Sequence, residues 1–226
     1  MNTSIPTNAR LSTASTPPAG TTGPALSARG LSKSYQSPVL TKLDLDIEQG
    51  QFVAIMGPSG SGKSTLLHCL SGMDRPTDGS VLLGETEMTT LSEKELAALR
   101  LTHFGFVFQQ AHLMATLCLL DNIVLPGFLA GLRPRPEVTA RGEELMERMG
   151  IAELAASSVT EVSGGQLQRA GICRALINDP GIVFADEPTG ALNSATALQI
   201  LDLLGQVHAS GTTLVMVTHD AQVAAR

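Results

Sequence analysis

The sequence predicts an α/β fold in which a mainly parallel sheet is covered by helices on both faces. Short runs of consecutive apolar residues, typical of strands buried on both sides, alternate along the chain with segments of helical periodicity. A glycine-rich turn joins one of these strands directly to a helix. Polar and charged residues follow several strands, and the carboxyl ends of the strands are where such a sheet binds its ligand.

The strands and helices of the first half follow from periodicity, in chain order. Alternation of Leu43, Leu45 and Ile47 with acidic residues predicts a half-buried strand, and QFVAIM predicts a fully buried one. A helix is then expected over Ser64 to Leu70 and a short strand at SVLLG. An acid-capped helix over Ser92 to Arg100 and a strand at FGFVFQ complete this half.

The second half begins with a change of pattern. Residues 111–162 carry the helical segments LMATLCLLDNIVL, EVTARGEELMERMG and IAELAASS between Gly and Pro, which predicts a helical insertion. A glycine-rich turn, VSGGQ, then leads into a further helix. After it come the buried strand GIVFADE, a helix over Ala195 to Val207 and the buried strand TTLVMVTHD.

Residues 1–27 are rich in Ser, Thr, Pro and Gly and poor in large apolar side chains. Because such a segment buries too little surface to offset its ordering entropy, we predict that it is a disordered tail. The folded domain is therefore expected to span residues 28–226.

The composition is that of a soluble protein. The chain has 226 residues, 43% of them hydrophobic, enough for one sizeable core or for one core with a small appended subdomain. Charged residues make up 16% and the formal net charge is -6, so we expect no nucleic-acid partner. No signal-peptide pattern opens the sequence. The most apolar long stretch falls short of a membrane span because Asp121, Asn122 and Pro126 interrupt it.

The three cysteines, Cys69, Cys118 and Cys173, are widely spaced in apolar surroundings and form no CxxC pair. Their spacing suggests neither a zinc site nor a disulfide framework. We interpret them as buried thiols in a reducing cytoplasm.

The turn GPSGSGKST has the G-x-x-x-x-G-K-[ST] spacing of a phosphate-binding loop, between a buried strand and a helix. Its glycines let backbone N–H groups approach phosphate oxygens. Lys63 is expected to neutralise the β- and γ-phosphates and Ser64 to bind Mg²⁺. The alternative is an ordinary glycine turn. The residues assigned to phosphate binding are Gly57, Pro58, Ser59, Gly60, Ser61, Gly62, Lys63, Ser64 and Thr65.

The acidic residues that end IVFADE supply two groups that a phosphate loop lacks, an acidic metal ligand and a catalytic base. Asp186 is placed to hold the Mg²⁺ shell, and Glu187 to orient and deprotonate the attacking water. His219 closes the last buried strand, where an imidazole would reach the γ-phosphate. Paired acids that are merely solvated, and a structural histidine, are the alternatives at these positions.

Together these motifs resemble the ATP-binding subunit of ABC transporters, from about residue 28 to the end of the chain. The VSGGQ run, residues 162–166, is the most diagnostic of them. The resemblance implies the P-loop NTPase fold of the ABC ATPases. It also implies an N-terminal antiparallel β part and a helical subdomain at about residues 111–162.

The resemblance also assigns roles to single residues, with ATP and Mg²⁺ as the cofactors. GPSGSGKST corresponds to the Walker A loop and IVFADE to Walker B, with Asp186 on Mg²⁺ and Glu187 as the catalytic base. Gln109 in VFQQ corresponds to the Q-loop glutamine, a further catalytic and Mg²⁺-binding residue, and His219 to the switch histidine. Tyr35, the only tyrosine, stands where the family stacks an aromatic ring on adenine. The alternative is a tyrosine that packs on the first sheet.

In this family the glycine-rich signature binds the ATP of a second subunit, through backbone N–H groups at the start of a helix. A homodimer is therefore implied, in which two chains sandwich two nucleotides and hydrolysis releases the dimer. The residues that correspond to this signature contact are Ser163, Gly164, Gly165 and Gln166.

Three positions depart from the family pattern. The signature begins with Val162 where Leu is usual, a mild apolar change. Asn193 stands where the D-loop usually has Asp, which keeps the hydrogen bonding but loses a charge at the dimer interface. The chain ends at Arg226, soon after His219, whereas relatives continue through a further strand and helix. We therefore expect a shortened C-terminal end with a less covered sheet edge.

Stretches such as LSGMDRPTDGSV and ADEPTGALNS are similar to the branch that serves lipoprotein release, macrolide efflux and antimicrobial-peptide export. This similarity implies a separate membrane-spanning permease, which docks at Gln109 and the helical insertion and selects the substrate. The expected location is the cytoplasmic face of the cell membrane. Two alternatives stay open: a division-type ATPase that switches a cell-wall hydrolase, and a nucleotide switch that does not hydrolyse ATP.

Overall fold

The structure, a computed structural model, describes residues 10–14 and 24–219. Most of the segment predicted to be disordered, and the last residues, 220–226, lie outside this range. The chain divides into two compact units, one of residues 1–96 with 213–226 and one of residues 97–212.

The first unit contains antiparallel and parallel strand pairs. An antiparallel sheet has the order β3 (Pro38–Ile47), β2 (Leu26–Ser34), β5 (Asp78–Leu83) and β6 (Thr86–Glu87). In a second group, β4 (Phe52–Met56) pairs antiparallel with β1 (Arg10–Ala14) and parallel with β9 (Thr213–Val217). Helix α1 (Lys63–Leu70) packs against β9, β2 and β3, and a 3₁₀ turn (Met88–Thr90) follows β6.

The core of the first unit follows from the apolar patterns. Leu26, Ile47, Ile55 and Leu67 are fully buried. Along β3 the apolar residues face inward and the acidic residues are exposed, as the period-two pattern predicts.

The second unit places two parallel strands among helices. β7 (Phe104–Phe108) pairs in parallel with β8 (Ile182–Asp186), and Phe184 stacks on Phe106 at a centroid distance of 5.8 Å. The helices are α3 (Leu119–Ala130), α4 (Arg135–Arg148), α5 (Gly164–Leu176) and α6 (Ser194–Ala209). Helix α5 contacts β7 and the helices α3, α4 and α6. Helix α2 (Glu93–His103) begins with the predicted acidic cap, in which Ser92 and Glu95 bond each other's backbone N–H groups.

Parallel strands with intervening helices confirm the predicted α/β fold, but three local predictions differ from the structure. Residues 10–14 were expected to be disordered, yet they form β1, whose Arg10 lies opposite Met56. An edge strand is held by backbone pairing, so a prediction based on buried side chains does not detect it.

The other two differences lie in the helical insertion. Helix α3 begins at Leu119, not within LMATLC, because the Asn122 side chain bonds the backbone of Met114, Leu117 and Cys118 and holds these residues in a loop. IAELAASS forms only a 3₁₀ turn (Ala152–Leu154). Ser158, the last residue of this stretch, begins a separate capping box with Glu161.

The cysteines are free thiols in the structure. Cys69 and Cys173 are buried, and burial raises the pKa of these thiols to about 11 and about 12. Cys118 differs from the expectation, since it is only half-buried. Its Sγ caps α3 by accepting a hydrogen bond from the backbone N–H of Asp121.

Candidate functional site

A tight glycine loop connects β4 to α1 in the first unit. Gly60 and Gly62 have φ angles of 77° and 86°, which favour glycine. Gly62 also lies directly before α1, where an added Cβ would come within 2.9 Å of the Val39 Cγ1 atom. The glycines are therefore required by the backbone path, which presents the start of α1 and its N–H groups at the loop.

The polar groups of this loop fit a polyphosphate. Lys63 is 7% exposed, and its Nζ donates a 3.0 Å hydrogen bond to the Pro58 carbonyl oxygen, so the ammonium lies against the loop. Among the described residues, Ser61 Oγ is the one buried side-chain oxygen or nitrogen without a hydrogen-bond partner. A buried hydroxyl beside a cation and helix-end N–H groups suits an anionic oxygen ligand.

Tyr35 lies at the turn between β2 and β3, with 61% of its surface exposed. It does not pack into the first sheet. Its hydroxyl donates a 2.6 Å hydrogen bond to Asp74 Oδ2, while Lys33 Nζ donates to Asp74 Oδ1 over 2.6 Å and lies 4.8 Å from the centre of the ring. The ring is thus tethered at its edge and offers an open face.

The charges around this ring shift its titration. The hydrogen bond to the Asp74 carboxylate, and then burial, raise the pKa of Tyr35 above its ordinary value. Burial disfavours the ionised Asp74, but hydrogen bonds from Lys33 and Tyr35 outweigh it and lower the pKa of this carboxyl. Sequence reasoning did not find Lys33 or Asp74, because the hydrogen bonds that join Lys33 and Tyr35 to Asp74 span about forty residues.

His219 and the glycine loop lie at the same edge of the first unit. β4 runs parallel to β9 with Ile55 opposite Val217, and the Thr218 N–H donates to the Ile55 carbonyl oxygen over 3.2 Å. Both strands therefore end together, one leading to Gly57 and the other to His219, whose side chain is exposed.

A second set of predicted residues meets in the second unit, where β7 and β8 end. Phe108 pairs with Asp186, so Gln109 and Glu187 are the next residues along two adjacent strands. The Gln109 side chain also reaches the turn after Glu187, since a Cβ at Gly190 would lie 2.9 Å from Gln109 Nε2. An amide and two carboxylates are thereby assembled at one sheet edge.

The backbone at Glu187 is unusual. Its φ of 46° lies in the left-handed region, directly before Pro188, where an ordinary residue costs of the order of 1–3 kcal/mol. The Gly190 N–H closes the turn by donating to the Glu187 carbonyl oxygen over 3.0 Å. Sequence reasoning assigned a role to Glu187 but did not detect this conformation.

Helix α5 contributes two side chains to the same region. Gln168 is buried, and its Nε2 donates 2.8 Å hydrogen bonds to the carbonyl oxygens of Phe108 and Pro188. Arg174 donates to the carbonyl oxygens of Ala111 and His112, over 2.5 and 2.8 Å. Sequence reasoning missed both residues, which read as the polar positions of an amphipathic helix.

The second glycine turn starts α5 with a capping box. Ser163 Oγ accepts from the Gln166 N–H, and Gln166 Oε1 accepts from the Ser163 N–H. This leaves the N–H groups of Gly164 and Gly165 as first-turn donors without an intrahelical acceptor. Gly165 also packs on α6, where an added Cβ would meet Thr196 Cγ2 at 2.5 Å.

A cleft of about 430 Å³ opens at this helix start. Its wall includes the four signature residues and Asn193. Asn193 caps α6, because its Oδ1 accepts from the Thr196 N–H over 2.9 Å. Asn and Asp are equally good caps, so the departure at this position keeps the local structure. The cleft offers N–H donors and a helix N-terminus to a ligand of negative charge.

Within the described residues, no helix combines the length and the apolar character needed to cross a lipid bilayer.

Comparison with known proteins places the chain among nucleotide-driven transport proteins. Residues 40–190, more than half of the chain, match the family described as ABC transporter. The chain is 46% identical over 213 residues to "Macrolide export ATP-binding/permease protein MacB 1/2" of Paracoccus denitrificans. The matched region covers 92% of this chain and 32% of that protein. The chain thus spans about a third of the length of that relative.

Shorter relatives match over most of their length. The chain is 44% identical over 197 residues to the "Uncharacterized ABC transporter ATP-binding protein YknY" of Bacillus subtilis, with 85% of each protein covered. The dimeric structure of MJ0796, described as a bacterial ABC transporter cassette, is 38% identical, with a TM-score of 0.81 over 88% of this chain and 90% of that one. A dimeric post-hydrolysis state of MJ0796 bound to ADP and Pi gives a TM-score of 0.77 at 37% identity, with the same coverage.

Proposed function

The chain belongs to the ABC transporter family and is an ATPase cassette of it, and we propose that it powers export by a bacterial transporter whose membrane-spanning permease is a partner. The observation that carries the nucleotide-binding half of this proposal is the glycine loop, in which Lys63, Ser61 Oγ and the start of α1 converge.

In the proposed complex, residues 57–65 wrap the phosphates of ATP and Lys63 neutralises them. The open ring of Tyr35 stacks on the adenine. Ser64, Gln109 and Asp186 are oxygen donors of the kind that hold Mg²⁺, which binds through few protein ligands and takes its other ligands from phosphate and water. When bound, this ion stabilises the charge that develops on the phosphates.

We assign the chemistry to residues that follow the strands. The Glu187 carboxylate orients a water molecule and accepts its proton as the water oxygen bonds to the γ-phosphorus. The bond between that phosphorus and the bridging oxygen of ADP breaks, which gives ADP and inorganic phosphate. His219 would contact the γ-phosphate, and Gln109, which lies beside the Glu187 turn, would help to hold the ion and the water.

The partner nucleotide is proposed to bind at the signature cleft. The free N–H groups of Gly164 and Gly165 face a site for negative charge, and the similar MJ0796 cassette has been described as a dimer. Two copies of this chain would each hold one ATP on the glycine loop and close its γ-phosphate with the other copy's signature. ATP binding then favours the closed dimer, and hydrolysis favours the open state.

Export and membrane attachment are proposed from the relatives. The MacB protein of Paracoccus denitrificans is named for macrolide export and as both ATP-binding and permease protein, whereas YknY is named for ATP binding. We propose that this chain sits on the cytoplasmic face of the membrane and docks on its permease through Gln109 and residues 111–162. The exported class would be a drug, peptide or lipoprotein, selected by the permease.

Two substitutions test this function. Lys63→Ala is expected to weaken ATP binding, because it removes the one cation buried in the loop. Glu187→Gln is expected to bind ATP normally and to hydrolyse it about 10²- to 10⁴-fold more slowly. Glu85→Gln, in the exposed turn between β5 and β6, is the control for the loss of a carboxylate.

Steady-state phosphate release and equilibrium ATP binding measure these effects. Unchanged ATP affinity in Lys63→Ala would contradict the phosphate-loop assignment. A near-normal rate in Glu187→Gln would place the catalytic base elsewhere. An unmodified chain that binds ATP without turnover would favour the nucleotide switch that does not hydrolyse it.

A further inference from the structure

We propose that Gln168 is a positioning residue, which sets the geometry of Glu187 and Gln109 without touching the nucleotide. The inference rests on the proposed function, because it takes Glu187 as the base. It concerns one buried side chain that joins two loops far apart in sequence.

The contacts of Gln168 are specific. The side chain is 3% exposed, and its amide nitrogen donates to the carbonyl oxygens of Phe108 and Pro188, both over 2.8 Å. A glutamine amide has two N–H donors, so both are used. Phe108 immediately precedes Gln109, and Pro188 immediately follows Glu187. One nitrogen therefore holds the backbone at the residue before Gln109 and at the residue after Glu187.

The conformation of Glu187 explains why such a bond is needed. A left-handed residue before a proline persists only where its surroundings over-determine the backbone. The turn itself supplies one bond, from the Gly190 N–H to the Glu187 carbonyl oxygen. Gln168 supplies a second bond within the same turn, to the carbonyl oxygen of Pro188, which is buried. Without that donor, the turn is free to relax and to carry the carboxylate away from the water.

The position of Gln168 in α5 links this turn to the signature. The helix begins at the capping box of Ser163 and Gln166, about 7 Å along the axis from Gln168. Farther along the same helix, Arg174 holds the carbonyl oxygens of Ala111 and His112. Helix α5 thus holds the chain on both sides of Gln109, and a shift of its N-terminus moves these carbonyl contacts with it.

A glutamine that only satisfies two buried carbonyl groups would stabilise the fold without any special effect on catalysis. The two roles differ in what they change. A positioning role lowers kcat and leaves the KM for ATP alone, because the hydrogen bonds of Gln168 go to the backbone beside Gln109 and Glu187, whereas adenine and phosphate binding are assigned to Tyr35 and the glycine loop. It also acts through Glu187, so its effect disappears once that carboxylate has been removed.

The test is a double-mutant cycle with Gln168→Met, which keeps the length of the side chain but removes both donors. In the full-length chain we expect kcat to fall about 10- to 100-fold, with KM for ATP within about twofold of the unmodified chain. In the Glu187→Gln background, the same substitution should lower the residual rate by less than about threefold. Gln206→Met, on the exposed face of α6, is the matched control and should match the unmodified chain.

A kcat within about threefold of the unmodified chain, or an equal fall in both backgrounds, overturns the proposal. If Gln168→Met does not fold, Gln168→Asn, which keeps a neutral amide but shortens the side chain by one methylene and so weakens the bonds to both carbonyl oxygens, takes its place in the same assays. The failures are distinguishable: a Glu187→Gln variant with near-normal turnover refutes the base itself, whereas an inactive Glu187→Gln with an active Gln168→Met refutes only the positioning role.

Discussion

The single tyrosine gives a direct spectroscopic view of the proposed adenine site. The chain has one tyrosine and no tryptophan, so tyrosinate absorbance reports Tyr35 alone. Because the Asp74 carboxylate accepts its hydroxyl, we expect the pKa of Tyr35 to lie above the ordinary value of about 10. Asp74→Asn should move it back toward that value, and Asp78→Asn, at an exposed strand end, should not.

The sign of the associated pH dependence follows from these shifts. Because the pKa of Tyr35 is raised, its hydrogen bond to Asp74 adds to the free energy of unfolding below about pH 10. This stabilisation is lost as the pH rises through the folded-state pKa of Tyr35. Because the pKa of Asp74 is lowered, the ionised carboxylate adds to the free energy of unfolding at pH values above 3.8, the ordinary pKa of this group. This stabilisation is lost as the pH falls through the folded-state pKa of Asp74. Identical titration of Tyr35 in the unmodified and Asp74→Asn chains would contradict this geometry.

Substitutions at Asn193 test whether Asn in place of the usual Asp leaves the stability of the fold unchanged. Because its side chain caps α6, Asn193→Ala should lower the free energy of unfolding by about 1 kcal/mol, whereas Asn193→Asp keeps the cap and should change it little. Urea unfolding measures both. A loss in Asn193→Asp as large as in Asn193→Ala would show that capping is not what this residue contributes.

The sequence predicted the site residues that belong to short contiguous motifs. It did not predict the residues whose hydrogen-bond partners lie far away along the chain. The glycine loop is contiguous, so its spacing alone is enough to predict a phosphate-binding loop. Gln168 and Asp74 act on partners that only the fold brings near, and in sequence they are ordinary polar residues. The left-handed backbone of Glu187 is likewise set by the turn around it and not by its residue type.

At the scale of elements, α3 and α4 pack through reciprocal glycine and valine contacts. A Cβ at Gly127 of α3 would lie 2.4 Å from Val138 Cγ1, and a Cβ at Gly142 of α4 would lie 2.6 Å from Val124 Cγ1. Both valines are buried. Each helix therefore inserts a valine where the other has no side chain, which brings the two backbones close.

Replacing a glycine inside a helix by alanine usually stabilises a protein, but this close packing predicts the opposite effect at Gly142. Gly142→Ala should lower the free energy of unfolding by about 1–3 kcal/mol, because the new methyl group collides with Val124. Gly205→Ala, in the exposed interior of α6 with no atom within 4 Å, should raise it by about 0.5–1 kcal/mol. Denaturant unfolding compares the two, and stabilisation by both substitutions would refute the close helix contact.

Strong periodicity and continuous apolar runs predicted most elements correctly, including β4, β8, β9 and α6. The errors occurred where hydrogen bonds between distant parts of the chain determine the secondary structure. The Asn122 side chain delays the start of α3, and backbone pairing to β4 creates β1 from a segment of low hydrophobicity. Neither effect has a signature in local composition.

At the scale of the whole molecule, the family assignment confirms the ABC ATPase that the motifs predicted. The motifs carried that inference, and the glycine loop at residues 57–65 and the glycine-rich run at residues 162–166 both lie within the matched residues 40–190. Their meeting across two copies of the chain is a proposal about assembly. No sequence pattern specifies which substrate the permease moves.

The central claim is that ATP joins two copies of this chain through the signature. The most direct test is the solution mass of Glu187→Gln by light scattering, with and without ATP and Mg²⁺. We expect the mass to double with ATP and Mg²⁺. Adding Gly164→Ala should weaken this association without loss of ATP binding, because an added Cβ makes only an ordinary 3.7 Å contact with Leu192 inside the chain yet crowds the signature cleft. A protein that binds ATP and keeps the mass of one chain would contradict the claim.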